Sequence, residues 1–213
     1  MSDLISFSLK TLRVVGLGSL VVGLFGCGSN PLPQIPDEQR NMEAEYTYVI
    51  GPGDSMEVFV WGNEELTVSG VEVRPDGKIS TRLVENIEAS GKTPSQLARD
   101  IEEAYSEYVK SAVVSVIVNE FEGVPSQQVR VVGEAAEPLK VPFRKHMTLL
   151  DLMVEVGGLT EFADGNKAVL IRNFDDVQST YNIRLADLLK DGDISANVAL
   201  FPGDIVIIPE AWF

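Results

Sequence analysis

The tripeptide Pro-Gly-Asp occurs twice, at Pro52–Asp54 and at Pro202–Asp204, and each copy runs into an apolar stretch. Proline presets φ at the first corner of a turn and glycine accepts positive φ at the next, so the chain must reverse at both places. The stretches that follow, Met56-Glu-Val-Phe-Val-Trp61 and Ile205-Val-Ile-Ile208, are short and rich in β-forming residues, as strands are. Taken alone, each copy is a turn followed by a strand. A chain of 213 residues has room for one domain or two small ones, at roughly 100–200 residues each.

The elements from Tyr46 to the second copy fall into two sets. Tyr46-Thr-Tyr-Val-Ile50 reads as a strand ahead of the first turn. Val68 to Val73 alternates, Arg74-Pro-Asp-Gly77 is a hairpin-type turn, and Lys78 to Thr81 continues as a strand. Thr93-Pro-Ser-Gln96 is a capping-box variant with Pro94 at the first helical position, and Leu97, Ile101, Ala104, Tyr105 and Tyr108 recur on one helix face. Ala112 to Val118 reads as a well-buried strand. Gly123 and Pro125, within Glu120–Ser126, mark a module boundary. Beyond it come a strand over Gln128–Val132, a capped helix over Thr148–Val156 stopped by Gly157-Gly158, strands over Lys167–Arg172 and Ser179–Ile183, and a short helix over Arg184–Lys190. The fold class expected is α+β, with two small mixed domains at 46–122 and 127–213.

The N-terminus follows other rules. A polar start carrying Lys10 and Arg13 leads into an apolar run, Val14 to Phe25, of about a dozen residues, too short for a helix across a hydrocarbon core about 30 Å thick. A basic start, a short apolar centre and a small-residue exit form the pattern of a secretory signal peptide, here 1–26. The exit, Leu24-Phe25-Gly26-Cys27, resembles the lipobox of bacterial lipoproteins, with Phe25 bulkier than the usual residue. That resemblance implies an acylated Cys27 as mature N-terminus, and Gly28 rather than Asp after it implies sorting to the outer membrane. The proline-rich residues 27–45 read as a lipidated, extended tether, since proline neither continues a helix nor donates to a sheet.

Chemistry is sparse. The net charge of −15 repels nucleic-acid phosphates and anionic headgroups, which removes DNA or RNA as partners and removes basic-patch adsorption to membranes. One cysteine cannot form an internal disulfide, and with one histidine a Cys–His zinc site is nearly excluded. His146 reads as a surface or turn histidine. The acid pairs Asp175-Asp176 and Asp191/Asp193 lack the spacing of a calcium loop. Ser55 and Ser115 lack a nucleophile-elbow context, and Gly51-Pro-Gly53 lacks the lysine of a phosphate loop. The reading therefore assigns no catalytic residue, no metal and no cofactor, and expects a protein that is not an enzyme.

Tyr48-Val-Ile-Gly-Pro-Gly-Asp54, Val58-Phe-Val-Trp61 and Val73-Arg-Pro-Asp-Gly77-Lys-Ile79, followed by the helix from Thr93, resemble the polysaccharide export domain of Wza-type outer-membrane polysaccharide export (OPX) proteins. Val131-Val-Gly133, Thr148-Leu-Leu-Asp-Leu152, Gly157-Gly-Leu-Thr160 and Leu200-Phe-Pro-Gly-Asp-Ile-Val206 resemble the SLBB module, which is β-grasp-like. The family-motif positions are Gly51, Pro52, Gly53, Asp54, Pro75, Asp76, Gly77, Gly157, Gly158, Pro202, Gly203 and Asp204. The resemblance implies a homo-oligomeric ring that conducts capsular or extracellular polysaccharide, receiving polymer from an inner-membrane co-polymerase that is often coupled to a tyrosine kinase. Larger relatives continue into a membrane-crossing helix. Here five residues, Pro209 to Phe213, follow the last strand, so the short form is expected, working with a separate outer-membrane β-barrel porin. Trp212 and Phe213 would sit at an interface or a partner, or else cap the core. The alternative function is a monomeric periplasmic lipoprotein receptor binding a glycan or other soluble ligand through its SLBB domain.

Overall fold

The computed structural model describes residues 31–174 and 177–212. The signal-peptide region, the lipidation residue Cys27, Asp175, Asp176 and Phe213 lie outside the described residues. In chain order the main elements are α1 (Asp37–Arg40), β1 (Ser55–Val60), β2 (Val68–Glu72), β3 (Lys78–Ile79), β4 (Ile87–Glu88), α2 (Pro94–Tyr105) and β5 (Val114–Glu120), then β6 (Gln128–Gly133), β7 (Lys140–Pro142), α3 (Leu149–Glu155), β8 (Ala168–Phe174), β9 (Val177–Ile183), α4 (Leu185–Lys190) and β10 (Ile205–Ile208).

The first set builds a three-stranded antiparallel sheet in the order β2-β1-β5 and a small β3-β4 pair. Period-2 alternation sends Met56, Val58 and Val60 of β1 inward, against α2. The helix begins where its caps require. The Thr93 side chain accepts from the Gln96 N–H, the Gln96 side chain accepts from the Thr93 N–H, and Pro94 occupies the first turn. Such a cap is worth about 1 kcal/mol. Leu97, Ala98, Ile101 and Tyr105 form the buried stripe, each large apolar side chain contributing about 1.5–3 kcal/mol by leaving water. The helix stops at Tyr105, so Tyr108 lies beyond it and is exposed.

The second set builds a five-stranded mixed sheet in the order β7-β6-β10-β8-β9, with β10 parallel to β6 and antiparallel to β8. α3 packs Leu149, Leu152 and Met153 into a second core of its own. Thr148 and Asp151 form its capping box. At its other end the Gly158 N–H donates to the Met153 carbonyl (2.8 Å) and Gly157 to Val154 (3.3 Å), with both glycines at positive φ. This is a Schellman stop, the helix end expected at Gly157-Gly158. The chain is thus α+β with two modules.

Three expectations change. Tyr46–Ile50 is no strand, because its polar groups pair with loops and side chains: Ile50 N–H to the Lys92 carbonyl, Val49 N–H to the Gln127 side chain. The stretch from Ala112 is a strand from Val114, but it lies at the sheet edge, with Val114 buried and Val113 and Ile117 exposed. Among the described residues its outer face stays open to solvent. The described part of the tether, from residue 31, is not a free extended spacer. Ile35 is buried in the second core, Gln34 bridges to Asn182 of β9, and Asp37–Arg40 forms one helical turn after Pro36. Ile35 and Ala44 supply the apolar surface that draws this segment down.

Candidate functional site

Both Pro-Gly-Asp turns end in a buried carboxylate. Within each turn the same contact recurs: Gly51 N–H donates to Asp54 Oδ2 (2.8 Å), and Phe201 N–H donates to Asp204 Oδ2 (2.8 Å). Gly53 and Gly203 take the positive φ that the turn demands, 94° and 85°. A buried carboxylate must be paired or fully hydrogen-bonded. The two satisfy this differently.

Among the described residues no cation pairs with Asp54. Its Oδ1 accepts from the backbone N–H groups of Glu122 (2.7 Å) and Gly123 (2.8 Å), and its Oδ2 accepts from the Tyr48 hydroxyl as well as from Gly51. Glu122 and Gly123 belong to the connection between modules, so this one carboxylate ties the start of β1 to the linker. The approach is close: a Cβ on Gly51 would lie 2.0 Å from the Gly123 carbonyl oxygen. Across the same joint, Gln127 Nε2 donates to the Thr47 carbonyl (2.9 Å), Gln128 Nε2 to the Glu122 carbonyl (3.0 Å), and Lys140 pairs with Glu122 (2.9 Å). Burial, then the hydrogen bond and charge of Asp54, push the Tyr48 hydroxyl well above the ordinary phenol range. Tyr46 is raised by burial first and by Asp54 second.

Asp204 takes a guanidinium. Arg172 Nε and Nη2 donate to its carboxylate (3.1 and 2.7 Å), Nη2 also donates to the Ala199 carbonyl (2.8 Å), and the guanidinium carbon stands 4.0 Å from the centre of the Phe201 ring. Both partners are shielded from solvent. Burial pushes the Asp204 carboxyl up, opposed by Arg172 and by the Phe201 N–H. A Cβ on Gly203 would lie 3.1 Å from the Ser126 carbonyl oxygen. The two turns therefore flank one linker.

The other motif positions do not join them. Pro75, Asp76 and Gly77 shape the turn before β3, where Arg74 grips Asp76 (3.0 and 2.8 Å) and, as the main cause, holds its carboxyl below the usual range. Asp193 is held low chiefly by the Ser195 hydroxyl. His146 is exposed at φ 67°, with Nδ1 3.1 Å from Glu43. Trp212 is 95% exposed and caps nothing. Among the described residues no three His, Cys, Asp or Glu side chains converge as a metal site.

Sequence reasoning missed Arg172 and the aromatic surface at the joint. Arg172 had a signal: it shares strand parity with Ala168 and Leu170, which face the core. Tyr46 packs edge-on against Phe143 (centroids 4.9 Å) and Tyr48 against Phe121 (5.3 Å). With Pro142, Arg144, Lys145 and Glu155 they line an open, mainly apolar groove of about 500 Å³. Nothing there resembles a nucleophile with its base.

Comparison with protein-family models places these modules. Residues 42–119 match the model described as polysaccharide biosynthesis/export protein, and residues 127–208 match that of the SLBB domain.

Proposed function

The chain belongs to the polysaccharide biosynthesis/export proteins, its export domain followed by an SLBB domain, and from that premise we propose that it is a lipid-anchored periplasmic part of a polysaccharide export machine. Proteins of this family are associated with the periplasm and outer membrane. In this reading signal-peptide cleavage exposes Cys27, whose acyl chains hold the chain at the outer membrane. At roughly 0.8 kcal/mol per buried CH₂, two or more chains make a stable tether. Copies of the chain assemble as a ring, take polymer from an inner-membrane co-polymerase coupled to a tyrosine kinase, and pass it to an outer-membrane β-barrel porin.

The observation that carries this reading is the succession of the two matched modules, joined by the buried Asp54 carboxylate into one compact unit. A conduit component needs subunits that keep their shape while polymer moves, and it needs no reactive site. Among the described residues no helix is long and apolar enough to cross a membrane. In the proposed reading the crossing belongs to the barrel partner. The working parts are taken as the anchor segment 27–45, whose described residues pack on the second core, the export domain 46–122 and the SLBB domain 127–213.

Deleting the gene and measuring polymer at the cell surface and inside the envelope tests the proposal. Loss of surface polymer with retention inside the cell is expected. Unchanged surface polymer overturns it.

A further inference from the structure

Among the described residues, apolar side chains lie uncovered on two surfaces that cannot meet within one copy. The first is the outer face of the β1–β5 pair. Because Met56, Val58 and Val60 point inward, Phe59 and Trp61 point out, with rings 6.4 Å apart. Val113 and Ile117 extend the same face from β5. Trp61 is 71% exposed, the wettest of the four. The second is the groove at the module joint, edged by Tyr46, Tyr48, Phe121 and Phe143.

Their placement follows from the register. Val60 pairs with Val114 and Ser55 with Glu120, so Trp61 lies past one end of the strand pair and Phe121 past the other. At about 3.3 Å per residue the two are separated by about 20 Å. Trp61, with most of its surface in water, is the knob of the first, beside a shallow hollow that it shares with Phe59 and Asn63; the second is a hollow of the size that accepts a drug-sized ligand. Charge runs the same way. Glu57 shares the outward parity of Phe59, and Glu64 stands beside Trp61. The groove carries Arg144, Lys145 and Glu155, of which Arg144 and Glu155 pair with each other (2.5 Å), so the charge it keeps is that of Lys145, which also borders Glu43 and Glu45 in the next cleft.

We propose that the Phe59–Trp61 face of one copy docks head-to-tail into the aromatic groove of a second copy of this chain. This rests on the reading of the chain as a ring component and names the surfaces that make the ring. A knob and a hollow on different parts of one molecule form a heterologous contact, which closes into a ring when its rotation allows. Acids around the knob then meet Lys145 at the rim, and the aromatic side chains leave water.

The test uses the full-length chain in detergent, sized by sedimentation velocity over a range of concentrations. Trp61→Glu removes the knob and Phe121→Glu charges the hollow. Both residues are exposed, and thermal melts establish that each variant is folded. Wild type is expected to form species larger than dimers, and each variant to associate at least about 30-fold more weakly, as loss of an interface hot spot does. An equimolar mixture of the variants still contains one intact knob and one intact hollow, so it is expected to form dimers and nothing larger. If both variants associate like wild type, or their mixture stays monomeric, the docking is overturned while the ring reading stands. A wild type that is monomeric at every concentration overturns both. If Phe121→Glu associates normally but loses affinity for the exported polymer, the groove belongs to glycan and the docking is overturned.

Discussion

Asp54 and Asp204 occupy the same position of the same turn, yet one holds two modules together and the other stays within a single core. Asp204 is answered by Arg172, a side chain from the neighbouring strand β8 that already belongs to its module. Asp54 is answered by no cation among the described residues. It collects N–H groups from Gly51, Glu122 and Gly123 and a hydroxyl from Tyr48, and two of those donors lie in the linker. Ionic pairing serves a carboxylate that needs one strong partner at hand. Backbone donors serve a carboxylate that must fix the path of a chain.

The largest effect is expected at the ion pair. Asp204→Ala leaves a guanidinium buried without its carboxylate and should cost about 3–5 kcal/mol in urea unfolding. The double change Asp204→Leu with Arg172→Met should recover most of it, since apolar replacements of a buried pair are often neutral or stabilising. If the double variant is as unstable as the single, unpaired charge is not the cause.

Asp54→Ala should cost about 1–3 kcal/mol for buried donors left without a partner. It should also do what Asp204→Ala does not: split unfolding into two calorimetric transitions, because each module has its own core. A single transition would show that the carboxylate does not couple the modules. Gly51→Ala attacks the same joint through backbone. Its methyl must displace the Gly123 carbonyl, at an expected cost of about 1–3 kcal/mol, with the same split.

The smallest effect is Tyr48→Phe, about 1 kcal/mol at neutral pH. Its pH dependence sharpens the comparison. The Tyr48 hydroxyl is raised in the folded chain. Above the ordinary phenol value of about 10 the unfolded chain therefore loses this proton first. The stabilisation is complete below that value and fades as pH rises toward the folded one. Stability measured between neutral and alkaline pH should fall less steeply in Tyr48→Phe than in wild type, and equal slopes would contradict the contact.

Much of this was legible because it is local. The capping boxes at Thr93 and Thr148, the stop at Gly157-Gly158 and both Pro-Gly-Asp turns depend on residues within a few positions of one another. What failed depended on distance or on neighbours. Tyr46–Ile50 has strand-like residues but finds loop partners, and β5 has a core-like sequence but sits at an edge. The motif marked Asp54 and Asp204 without telling them apart, since Arg172 is 32 residues from Asp204 and Glu122 is 68 from Asp54. The aromatic groove was invisible for the same reason: Tyr46 and Tyr48 meet Phe143 and Phe121 only once the linker is folded.

Every functional step proposed above requires that the chain reach the cell envelope and be held there by its lone cysteine. Intact-mass and N-terminal peptide analysis of the protein recovered from fractionated cells measures this directly. The account predicts a chain beginning at an acylated Cys27 and recovered with the outer membrane. A chain still carrying Met1 and a free thiol at residue 27, found in the cytosol, would contradict it.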